Sequence, residues 1–520
     1  MTSTVAEVAL PRREGRGRIT WLFRRMLQGG RALVRLSGSK TSALSLAHRW
    51  EELPSHLRTD QQLAGTAAIS CGATHGLMEK CNFACTSCYL SDVANYTRPL
   101  PFHQVKEQLD VLRAYLGDQG KCQITSGEVT LLDKHELGKI VAYAISLGLD
   151  PMVMTNGQRL LQVPDYLTTL MANYGLEKIC FHIDTTQNGR PGLKPEMTEG
   201  DLNPVRDRYA DLVAHARQRT GKRLHVANTV TVTEGNIDGI GDIVRWVLDN
   251  TDTVRLLSFL PVAEVGRTTD SRDDRLTMAG VWEKICAAMG RPLNRQAMHF
   301  GHPECNIIAP LLVVTAGRGH HLIEVVREDR PWDSRIMSKG LRHFSHHVDL
   351  NREIWWNCVN LVGPLLRRPL DLLELVAYSA YRAWSARTAA GAFLWNLMRG
   401  RRVAIRPLML VVHKFMDAQE LETPLGQERV AACVFKVPVN GSMVSMCQVN
   451  TGMRLELNLE SITEEKRDLV AHILAREPDP MPAVDLPDPE VLEGASTATI
   501  AAQRPEQRAA DRAPIEGRPK

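Results

Sequence analysis

Three cysteines lie close together in the run CNFACTSCYL, at Cys81, Cys85 and Cys88. Their spacing is C-x3-C-x2-C. Three thiolates can ligate three irons of an iron–sulfur cube and leave the fourth iron without a protein ligand. An iron with an open position can bind a small molecule, whereas a site with four cysteines is closed and usually only carries electrons. The triplet therefore predicts a [4Fe-4S] cluster that takes part in chemistry.

Zinc is an alternative ligand for these cysteines, since zinc also favours clustered thiolates. A C-x2-C half-site for zinc needs a second cysteine pair nearby, and the next cysteine, Cys122, lies alone in a predicted strand. The spacing thus favours the cluster, and a non-catalytic zinc or electron-transfer protein stays as the alternative.

The cysteine spacing resembles that of the radical S-adenosylmethionine (SAM) superfamily. Members of that superfamily usually carry an aromatic residue just before the third cysteine. In this chain that position is Ser87, and the aromatic residue, Tyr89, follows Cys88. The resemblance assigns to Tyr89 the shielding of the cluster and a place near the adenine of SAM.

A second motif, SGEV at residues 126–129, directly follows the second predicted strand. The superfamily usually has Gly-Gly-Glu-Pro there, where the carboxylate and the backbone hold the amino group of SAM. The resemblance therefore assigns Ser126, Gly127 and Glu128 to cofactor binding, and the glycine lets the backbone approach the ligand closely.

Polar or turn residues also close the later predicted strands. In the superfamily these strand ends meet the methionyl carboxylate, the ribose and the adenine of SAM. The resemblance assigns to cofactor binding Thr155 and Asn156 at the third strand, His182 and Asp184 at the fourth, Asn228 in the fifth and Pro261 at the sixth.

The resemblance also implies a mechanism. The open iron chelates the amino and carboxylate groups of SAM, and an external one-electron donor, similar to flavodoxin or ferredoxin, reduces the cluster. Cleavage of the sulfur–carbon bond then gives methionine and a 5′-deoxyadenosyl radical, which takes a hydrogen atom from an unactivated carbon. The protein positions the groups and excludes competing reactions.

The elements that position these residues alternate between strand and helix over residues 66–270. Strands separated by ten or more helical residues pair in parallel with right-handed crossovers. The predicted fold is α/β, a partial (β/α)6 TIM-like barrel with its active groups at the C-terminal strand ends. The predicted strands are Ala67–Ile69 and Gly76–Met78 before the cysteines, then Cys122–Thr125, Pro151–Thr155, Lys178–Ile183, Leu224–Val232 and Val254–Phe259; the predicted helices include Phe102–Leu116.

Other regions differ in pattern from this barrel. Residues 1–65 are predicted as a basic N-terminal arm with helices, and residues 271–405 as a mostly helical extension. Residues 406–476 have a β-like pattern with cysteines, which predicts a C-terminal α+β region. Residues 477–520 contain almost no large apolar side chains, which predicts disorder.

The C-terminal region resembles that of a radical SAM group that includes the archaeal tetraether lipid synthase. The similar features are Phe415–Asp417, Glu428–Val430, Cys433 and Cys447. The resemblance implies a lipid or another long apolar substrate. A peptide- or protein-modifying radical SAM enzyme is the second hypothesis, since such enzymes often carry a C-terminal cysteine-bearing domain.

The distal cysteines are candidates for a second iron–sulfur cluster. Cys305, Cys433 and Cys447 would supply three ligands, with Cys71, Cys358 or His302 as the fourth. The alternative is that these cysteines are buried as small apolar side chains. Cys122, Cys180 and Cys286 are predicted to be packing residues.

Two basic, apolar segments suggest peripheral contact with a membrane. Arginines alternate with apolar residues in 1–50, and tryptophans and arginines do so in 353–398. Both patterns suit a helix on an anionic membrane surface, and a solvated arm and ordinary core helices are the alternatives. No secretory signal or membrane-spanning segment is expected, and scattered cysteines predict reduced thiols. We therefore expect a cytoplasmic protein, with contact at the inner membrane face.

The charge balance argues against nucleic acid as a partner. The formal net charge is +4 over 520 residues. A charge this small creates no strong overall field for a polyanion.

Overall fold

The computed structural model describes residues 40–270, 276–316, 319–327, 329–344, 354–401 and 403–475. All of them belong to one structural unit, Met1–Ala483. Most of the predicted basic arm and the predicted disordered tail lie outside the described residues.

Eleven described strands form one sheet with the spatial order β11-β10-β1-β2-β3-β4-β5-β6-β9-β7-β8. Their bounds are β1 Cys71–Ala73, β2 Lys121–Ile124, β3 Asp150–Thr155, β4 Lys178–His182, β5 His225–Val232, β6 Val254–Pro261, β7 Asn306–Ala316, β8 Gly319–Glu324, β9 Val403–His413, β10 Phe435–Val439 and β11 Ser442–Ser445.

The described helices follow the same numbering along the chain. They are α1 Lys40–Glu52, α2 Phe102–Leu116, α3 Lys134–Ser146, α4 Gln158–Gln162, α5 Tyr166–Tyr174, α6 Asn203–Thr220, α7 Ile240–Asp249, α8 Met278–Ala288, α9 Pro331–Phe344, α10 Ile354–Leu366, α11 Pro369–Ser385, α12 Arg387–Met398, α13 Ala418–Glu422, α14 Pro424–Ala431, α15 Met446–Gln448, α16 Arg454–Glu460 and α17 Glu464–Leu474.

Strands β1 to β6 are parallel and lie side by side in chain order. Helices connect them, so the predicted partial (β/α)6 barrel is confirmed. The C-terminal α+β region extends this sheet at both edges, because β10 pairs in parallel with β1 and β9 pairs in parallel with β6.

The main core lies between the sheet and the helices. Alternate strand residues such as Val153, Phe181 and Phe259 are fully buried against the helices, as the two-residue period of a strand requires. Helix α2 buries the stripe Val105, Leu109, Leu112 and Leu116.

The first strand does not lie where the sequence predicted it. Neither 67–69 nor 76–78 is a strand, and β1 occupies Cys71–Ala73 between them. The strand was missed because its residues are small. A Cβ atom at Gly72 would lie 2.3 Å from the Cδ2 atom of Leu112, so close packing of α2 on β1 requires glycine there.

Residues 271–405 contain two strands that the helical pattern did not predict. Strands β7 and β8 form an antiparallel pair, and β7 also pairs antiparallel with β9. These strands continue the barrel sheet beyond β6.

Candidate active site

The three cysteines of the triplet lie together in the loop that follows β1. Cys81, Cys85 and Tyr89 pack around the buried Cys88. Burial raises the pKa of Cys81 to about 12, with smaller contributions from Glu128 and Cys88. Burial also raises the pKa of Cys85, and the neighbouring thiols of Cys88 and Cys81 add to this effect. The three sulfurs therefore occupy one buried neighbourhood.

Hydrogen-bond donors approach the sulfurs of Cys81 and Cys88. The guanidinium Nε of Arg267 donates to Sγ of Cys88 at 3.3 Å, and the backbone N–H of Phe83 donates to Sγ of Cys81 at 3.4 Å. The amide of Asn156 donates to Sγ of Cys81 at 4.0 Å. Among the described residues, no three His, Cys, Asp or Glu side chains converge on a point that could hold a single ion. In an iron–sulfur cube each cysteine binds a different iron, so Cys81, Cys85 and Cys88 would each ligate one iron.

The segment after β6 holds the cysteine loop in place. The hydroxyl of Thr268 accepts from the backbone N–H of Cys88 at 3.0 Å, and Ser87 donates to the carboxylate of Asp270. Gly266 has φ +59°, and a Cβ atom there would lie 2.4 Å from the backbone of Tyr89. This close approach therefore requires glycine.

Glu128 joins the ends of β2 and β3. Its carboxylate is buried, and Oε1 accepts from both the backbone N–H and the hydroxyl of Thr130 and from the hydroxyl of Thr155. Among the described residues, Oε2 accepts one hydrogen bond, from the backbone N–H of Asn156 at 2.7 Å. Oε1 thus accepts three hydrogen bonds and Oε2 one, so a further donor such as an ammonium group would bind at Oε2.

Gly127 packs against protein, which differs from the role that the resemblance assigned to it. A Cβ atom at Gly127 would lie 2.1 Å from the carbonyl oxygen of Glu79. The absence of a side chain therefore lets the end of β2 lie against the cysteine loop. The same contact is fixed by a hydrogen bond from the N–H of Glu128 to the carbonyl of Lys80, at 2.8 Å.

Tyr89 lies beside the SGEV motif. Its hydroxyl donates to the carbonyl of Ser126 at 3.2 Å, and the guanidinium of Arg454 stacks 4.7 Å from its ring centroid. Ser126 donates in turn to the buried carboxylate of Glu79 at 2.6 Å. Burial raises the pKa of Tyr89 to about 12. The structure thus brings Tyr89 and Ser126 together at the edge of the cysteine cluster.

His182 and Asp184 form a pair at the end of β4. Nε2 of His182 lies 2.6 Å from the carboxylate of Asp184, and it also lies 3.1 Å from the hydroxyl of Thr231. Burial alone would raise the pKa of Asp184, but His182 and hydrogen bonds to the carboxylate outweigh it and lower the pKa. Asp184 accepts from Thr186, whose carbonyl accepts from the N–H of Thr86 in the cysteine loop.

Asn228 and Pro261 form no contact with the cysteine loop or with the His182–Asp184 pair among the hydrogen bonds and ion pairs of the described residues. Asn228 lies on the same side of β5 as the buried Val226 and Val230, in the helix-facing core, so its assignment to cofactor binding is wrong. The alternation of a strand places Thr229 and Thr231 on the other face instead. Pro261 lies at the end of β6, in register with Val232.

Several residues of the site were not predicted from the sequence. Glu79 and Arg454 form an ion pair beside Tyr89, and Thr268 and Asp270 bind the cysteine loop. Glu79 lies two positions before Cys81, but nothing in the local sequence around Arg454 connects it with the site.

The face of the sheet opposite the helices carries both polar and apolar residues, and the polar ones include Gln123 on β2, His182 on β4 and Thr229 and Thr231 on β5. Six apolar residues that alternate with the helix-facing core are half-buried on this face. They are Met152 and Met154 on β3, Leu256 and Leu260 on β6, and Met409 and Val411 on β9. We call this surface the concave face.

The three distal cysteines converge on a second place in the chain. Cys305, Cys433 and Cys447 line one cavity of about 20 Å³ together with His302 and His413. We call this the thiol cavity. Burial raises the pKa of Cys447 to about 12, and Cys433 and Cys305 add to the effect.

Each sulfur of the thiol cavity accepts a hydrogen bond. Arg429 Nε donates to Cys305 at 3.4 Å, the N–H of Phe435 to Cys433 at 3.4 Å, and the N–H of Met416 to Cys447 at 3.5 Å. Of the three predicted fourth ligands, only His302 lines the cavity. Cys71 lies in β1 near the charged groups of Lys121 and Asp150, and Cys358 is exposed on α10.

The other three cysteines have different surroundings. Cys122 is buried in the main core, and Cys286 packs against it. Cys180 lies on the opposite face of the sheet, where its sulfur is 3.0 Å from the hydroxyl of Thr229.

Comparisons with known proteins agree with this geometry. Residues 77–247, about a third of the chain, match the family model of the Radical SAM superfamily. No curated protein matches the chain.

Solved structures show a limited similarity. They include anSMEcpe with bound AdoMet, which has a TM-score of 0.31 and 12% identity over 42% of this chain and 58% of that chain. SuiB from Streptococcus suis has a TM-score of 0.28 and 15% identity, over 39% of this chain and 42% of SuiB. The chain thus spans less than two thirds of the length of these structures.

The matched region ends before the C-terminal part of the chain. No comparison supports the resemblance of that part to the tetraether lipid synthase group. The family match agrees with the predictions of an enzyme, of a [4Fe-4S] cluster and of SAM as cofactors. Residues 77–247 of this chain are similar to the Radical SAM superfamily.

Proposed function

We propose that this chain is a radical SAM enzyme that removes a hydrogen atom from a carbon of a long apolar substrate such as a lipid. The observation that carries the proposal is the position of the buried cysteine triplet. It lies beside the SGEV motif and the ends of β3 and β4, next to the half-buried apolar residues of the concave face. When bound, the cluster and SAM supply a one-electron cleavage of the sulfonium that ends in hydrogen abstraction.

The chain's own residues bind and orient these groups. Cys81, Cys85 and Cys88 would hold the cluster, and Arg267 donates a hydrogen bond to one of the sulfurs. The remaining acceptor position on Glu128 would bind the amino group of SAM. We also expect an external one-electron donor of the flavodoxin or ferredoxin type.

The apolar residues of the concave face support the choice of substrate. The methionine and leucine side chains are half-buried and lie on strands β3 and β6, which end at the site. Apolar walls favour an apolar ligand through the hydrophobic effect. They also exclude water, which limits side reactions of a reactive intermediate.

Anaerobic reconstitution tests the reaction. The full chain is loaded with iron and sulfide, reduced with dithionite and given SAM, and 5′-deoxyadenosine is measured. We expect 5′-deoxyadenosine from the wild type and from Cys358→Ala, whose thiol is exposed on α10, and none from Cys85→Ala. Bound zinc without 5′-deoxyadenosine from the wild type would establish the alternative of a non-catalytic protein.

Deuterium transfer tests the substrate class. With phospholipid that carries perdeuterated acyl chains, we expect deuterium in the 5′-deoxyadenosine. Met154→Glu places a charge on the concave face and should abolish this transfer, while Ile145→Glu, at an exposed position of α3, should not. Deuterium that comes from labelled peptides and not from lipid would instead support the peptide-modifying hypothesis.

We further propose that the thiol cavity holds a second iron–sulfur cluster. The support is that three cysteines from distant parts of the chain line one cavity and that each sulfur accepts a hydrogen bond. Hydrogen bonds to sulfur are a usual means of tuning such clusters. His302 or His413 would supply the fourth ligand.

Iron stoichiometry tests the second cluster. A protein with two cube clusters binds about eight irons, and a protein with one binds about four. Cys305→Ala and Cys447→Ala should each lower the iron content by about half, while Cys180→Ala should not lower it. About four irons in the wild type, with no loss in Cys447→Ala, would show that these thiols are packing residues.

A further inference from the structure

The helices α10, α11 and α12 expose an unusual amount of apolar surface. Twelve of the twenty exposed large apolar side chains of the described residues lie on these three helices. Leu370 is 79% exposed, Trp384 71% and Met398 75%. A contiguous exposed apolar patch on a protein usually marks an interaction surface.

The exposed side chains follow the helical period. On α11, Leu370, Leu373 and Trp384 are exposed, with Ala377 and Ala380 between them, so the spacing alternates between three and four residues and marks one stripe. Val359, Val362 and Leu366 form a similar stripe on α10. Leu394, Trp395 and Met398 form another on α12. We call these three stripes the apolar patch.

The opposite side of α11 is already packed. Trp332 of α9 stacks against Tyr378 and Tyr381 at 5.6 and 5.3 Å between ring centroids, and the hydroxyl of Tyr378 donates to the buried carboxylate of Asp333 at 3.0 Å. Helix α11 nevertheless has no buried residue. The orientation of the stripe toward solvent is therefore fixed by specific contacts on the other side of the helix.

The charges around the apolar patch are almost all positive. Residues 354–401 contain six arginines and only two acidic residues. Both acids, Asp371 and Glu374, form ion pairs with Lys339 and are largely buried. The exposed arginines of this region are Arg367, Arg368, Arg387, Arg399 and Arg401.

Two of the arginines are paired with the exposed tryptophans. The guanidinium of Arg399 lies 3.9 Å from the ring centroid of Trp395, and that of Arg387 lies 5.3 Å from Trp384. Tryptophan prefers the membrane interface because one part of its ring system is apolar and another can donate a hydrogen bond. Arginine can place its charge among headgroups while its methylene chain covers apolar surface.

We propose that the apolar patch binds the surface of an anionic lipid bilayer, with the stripes of α10–α12 in the interfacial layer and the arginines among the phosphates. No helix among the described residues is both long and apolar enough to cross a membrane, so the helices would lie in the plane of the surface. The lack of exposed acidic groups within the described residues 354–401 favours phosphate headgroups over a protein partner, whose surface normally presents both signs of charge. This proposal does not depend on the proposed reaction.

Vesicle flotation with the full chain tests this inference. We expect the chain to bind vesicles of phosphatidylcholine with phosphatidylglycerol much more strongly than vesicles of phosphatidylcholine alone. This binding should weaken as the salt concentration rises. The double variant Leu370→Glu/Trp384→Glu should lower the partition coefficient roughly tenfold or more. Arg367→Gln should lower it roughly fivefold, since each basic residue near such a surface contributes about 1 kcal/mol.

Leu469→Glu is the matched control, because it changes an exposed leucine of another helix, α17. Circular dichroism verifies that all variants are folded. If the double variant had the same partition coefficient as the wild type, the proposal would be overturned, since the chain would then bind lipid elsewhere or not at all. The proposal would also be overturned if the wild type were a dimer that does not bind vesicles and the double variant were a monomer. The apolar patch would then bind a second copy of this chain.

Fluorescence gives an independent measurement. Brominated lipids quench tryptophans that enter the interfacial layer, and we expect quenching that is lost in Trp384→Phe/Trp395→Phe. Trp246→Phe serves as the control, since Trp246 is buried in the core. Equal quenching in the variant and the wild type would count against the proposal.

Discussion

Arg454 of α16 and Glu79 of the cysteine loop form a buried ion pair, with guanidinium Nη1 3.1 Å from carboxylate Oε1. Burial alone would raise the pKa of Glu79, but Arg454 together with hydrogen bonds from Ser126 and Gly76 outweighs it, and the pKa is lowered. The ionised carboxylate also accepts from Ser126 and from the backbone N–H of Gly76. A helix near the C-terminus thus stabilises the loop that follows the first strand.

Removal of the arginine should destabilise the protein strongly. Arg454→Met leaves the buried carboxylate of Glu79 without its partner, which costs about 3–5 kcal/mol of unfolding free energy. Urea denaturation under anaerobic conditions measures this loss. In Glu79→Gln/Arg454→Met neither charge of this pair remains buried, so we expect much of the stability to return. A double variant as unstable as the single one would contradict this account.

Arg467→Met is the matched control for Arg454→Met. Arg467 and Glu464 form an ion pair whose side chains are 68% and 88% exposed. Water screens such a pair, so its loss should change the unfolding free energy by less than about 1 kcal/mol.

Alanine at position 127 should disturb both stability and cluster loading. The new Cβ atom would lie 2.1 Å from the carbonyl oxygen of Glu79. Overpacking of this kind costs about 1–3 kcal/mol, and relief requires movement of the cysteine loop. We expect Gly127→Ala to lower both the unfolding free energy and the iron content. Wild-type iron content and stability in this variant would refute the steric argument.

Gly391→Ala provides the comparison for this substitution. Gly391 lies in α12, and no atom approaches its added Cβ within 4 Å. Alanine favours a helix over glycine by about 1 kcal/mol. This variant should therefore be as stable as the wild type or slightly more stable.

The sequence was sufficient for most of the barrel. Helix α2 has the predicted bounds, Phe102–Leu116, because four apolar residues at helical spacing mark its buried face. The strand β1 could not be predicted in this way. Its three small residues carry no apolar signal, and its position depends on the fit of Gly72 against Leu112.

The site was less predictable than the fold. The cysteine triplet and Glu128 follow from local motifs, whereas Glu79 and Arg454 are 375 positions apart and meet only in the folded chain. The error at Asn228 was avoidable. Asn228 lies an even number of residues from Val226, Val230 and Val232, so strand alternation alone places it with them on the helix-facing side.

The acid dependence of stability should involve Asp150 at the start of β3. Burial alone would raise its pKa, but Lys121 and Lys178 outweigh this and lower it. A folded-state pKa below the unfolded value means that the carboxylate stabilises the fold above the unfolded pKa of about 3.9. This contribution is lost as the pH falls through the folded-state pKa.

Asp150→Asn tests this dependence. It should lower the unfolding free energy by about 1 kcal/mol at pH 7, and the difference from the wild type should shrink as the pH falls below about 4. Asp165→Asn is the control, because Asp165 is 59% exposed in its ion pair with Lys134. A difference between Asp150→Asn and the wild type that does not change with pH would contradict the assignment.

Arg267 should tune the reduction potential of the cluster. Its Nε donates to Sγ of Cys88 at 3.3 Å, and its Nη2 donates to the carbonyl of Phe83. A positive charge and a hydrogen bond at a cluster sulfur stabilise the reduced, more negative form. Arg267→Met should therefore lower the potential on the order of tens of millivolts, as measured by redox titration with electron paramagnetic resonance. Arg267→Lys keeps the charge and should shift the potential less. Arg295→Met is the control, because Arg295 is exposed, and this variant should leave the reduction potential unchanged. An unchanged reduction potential in Arg267→Met would show that Arg267 stabilises only the conformation of the loop.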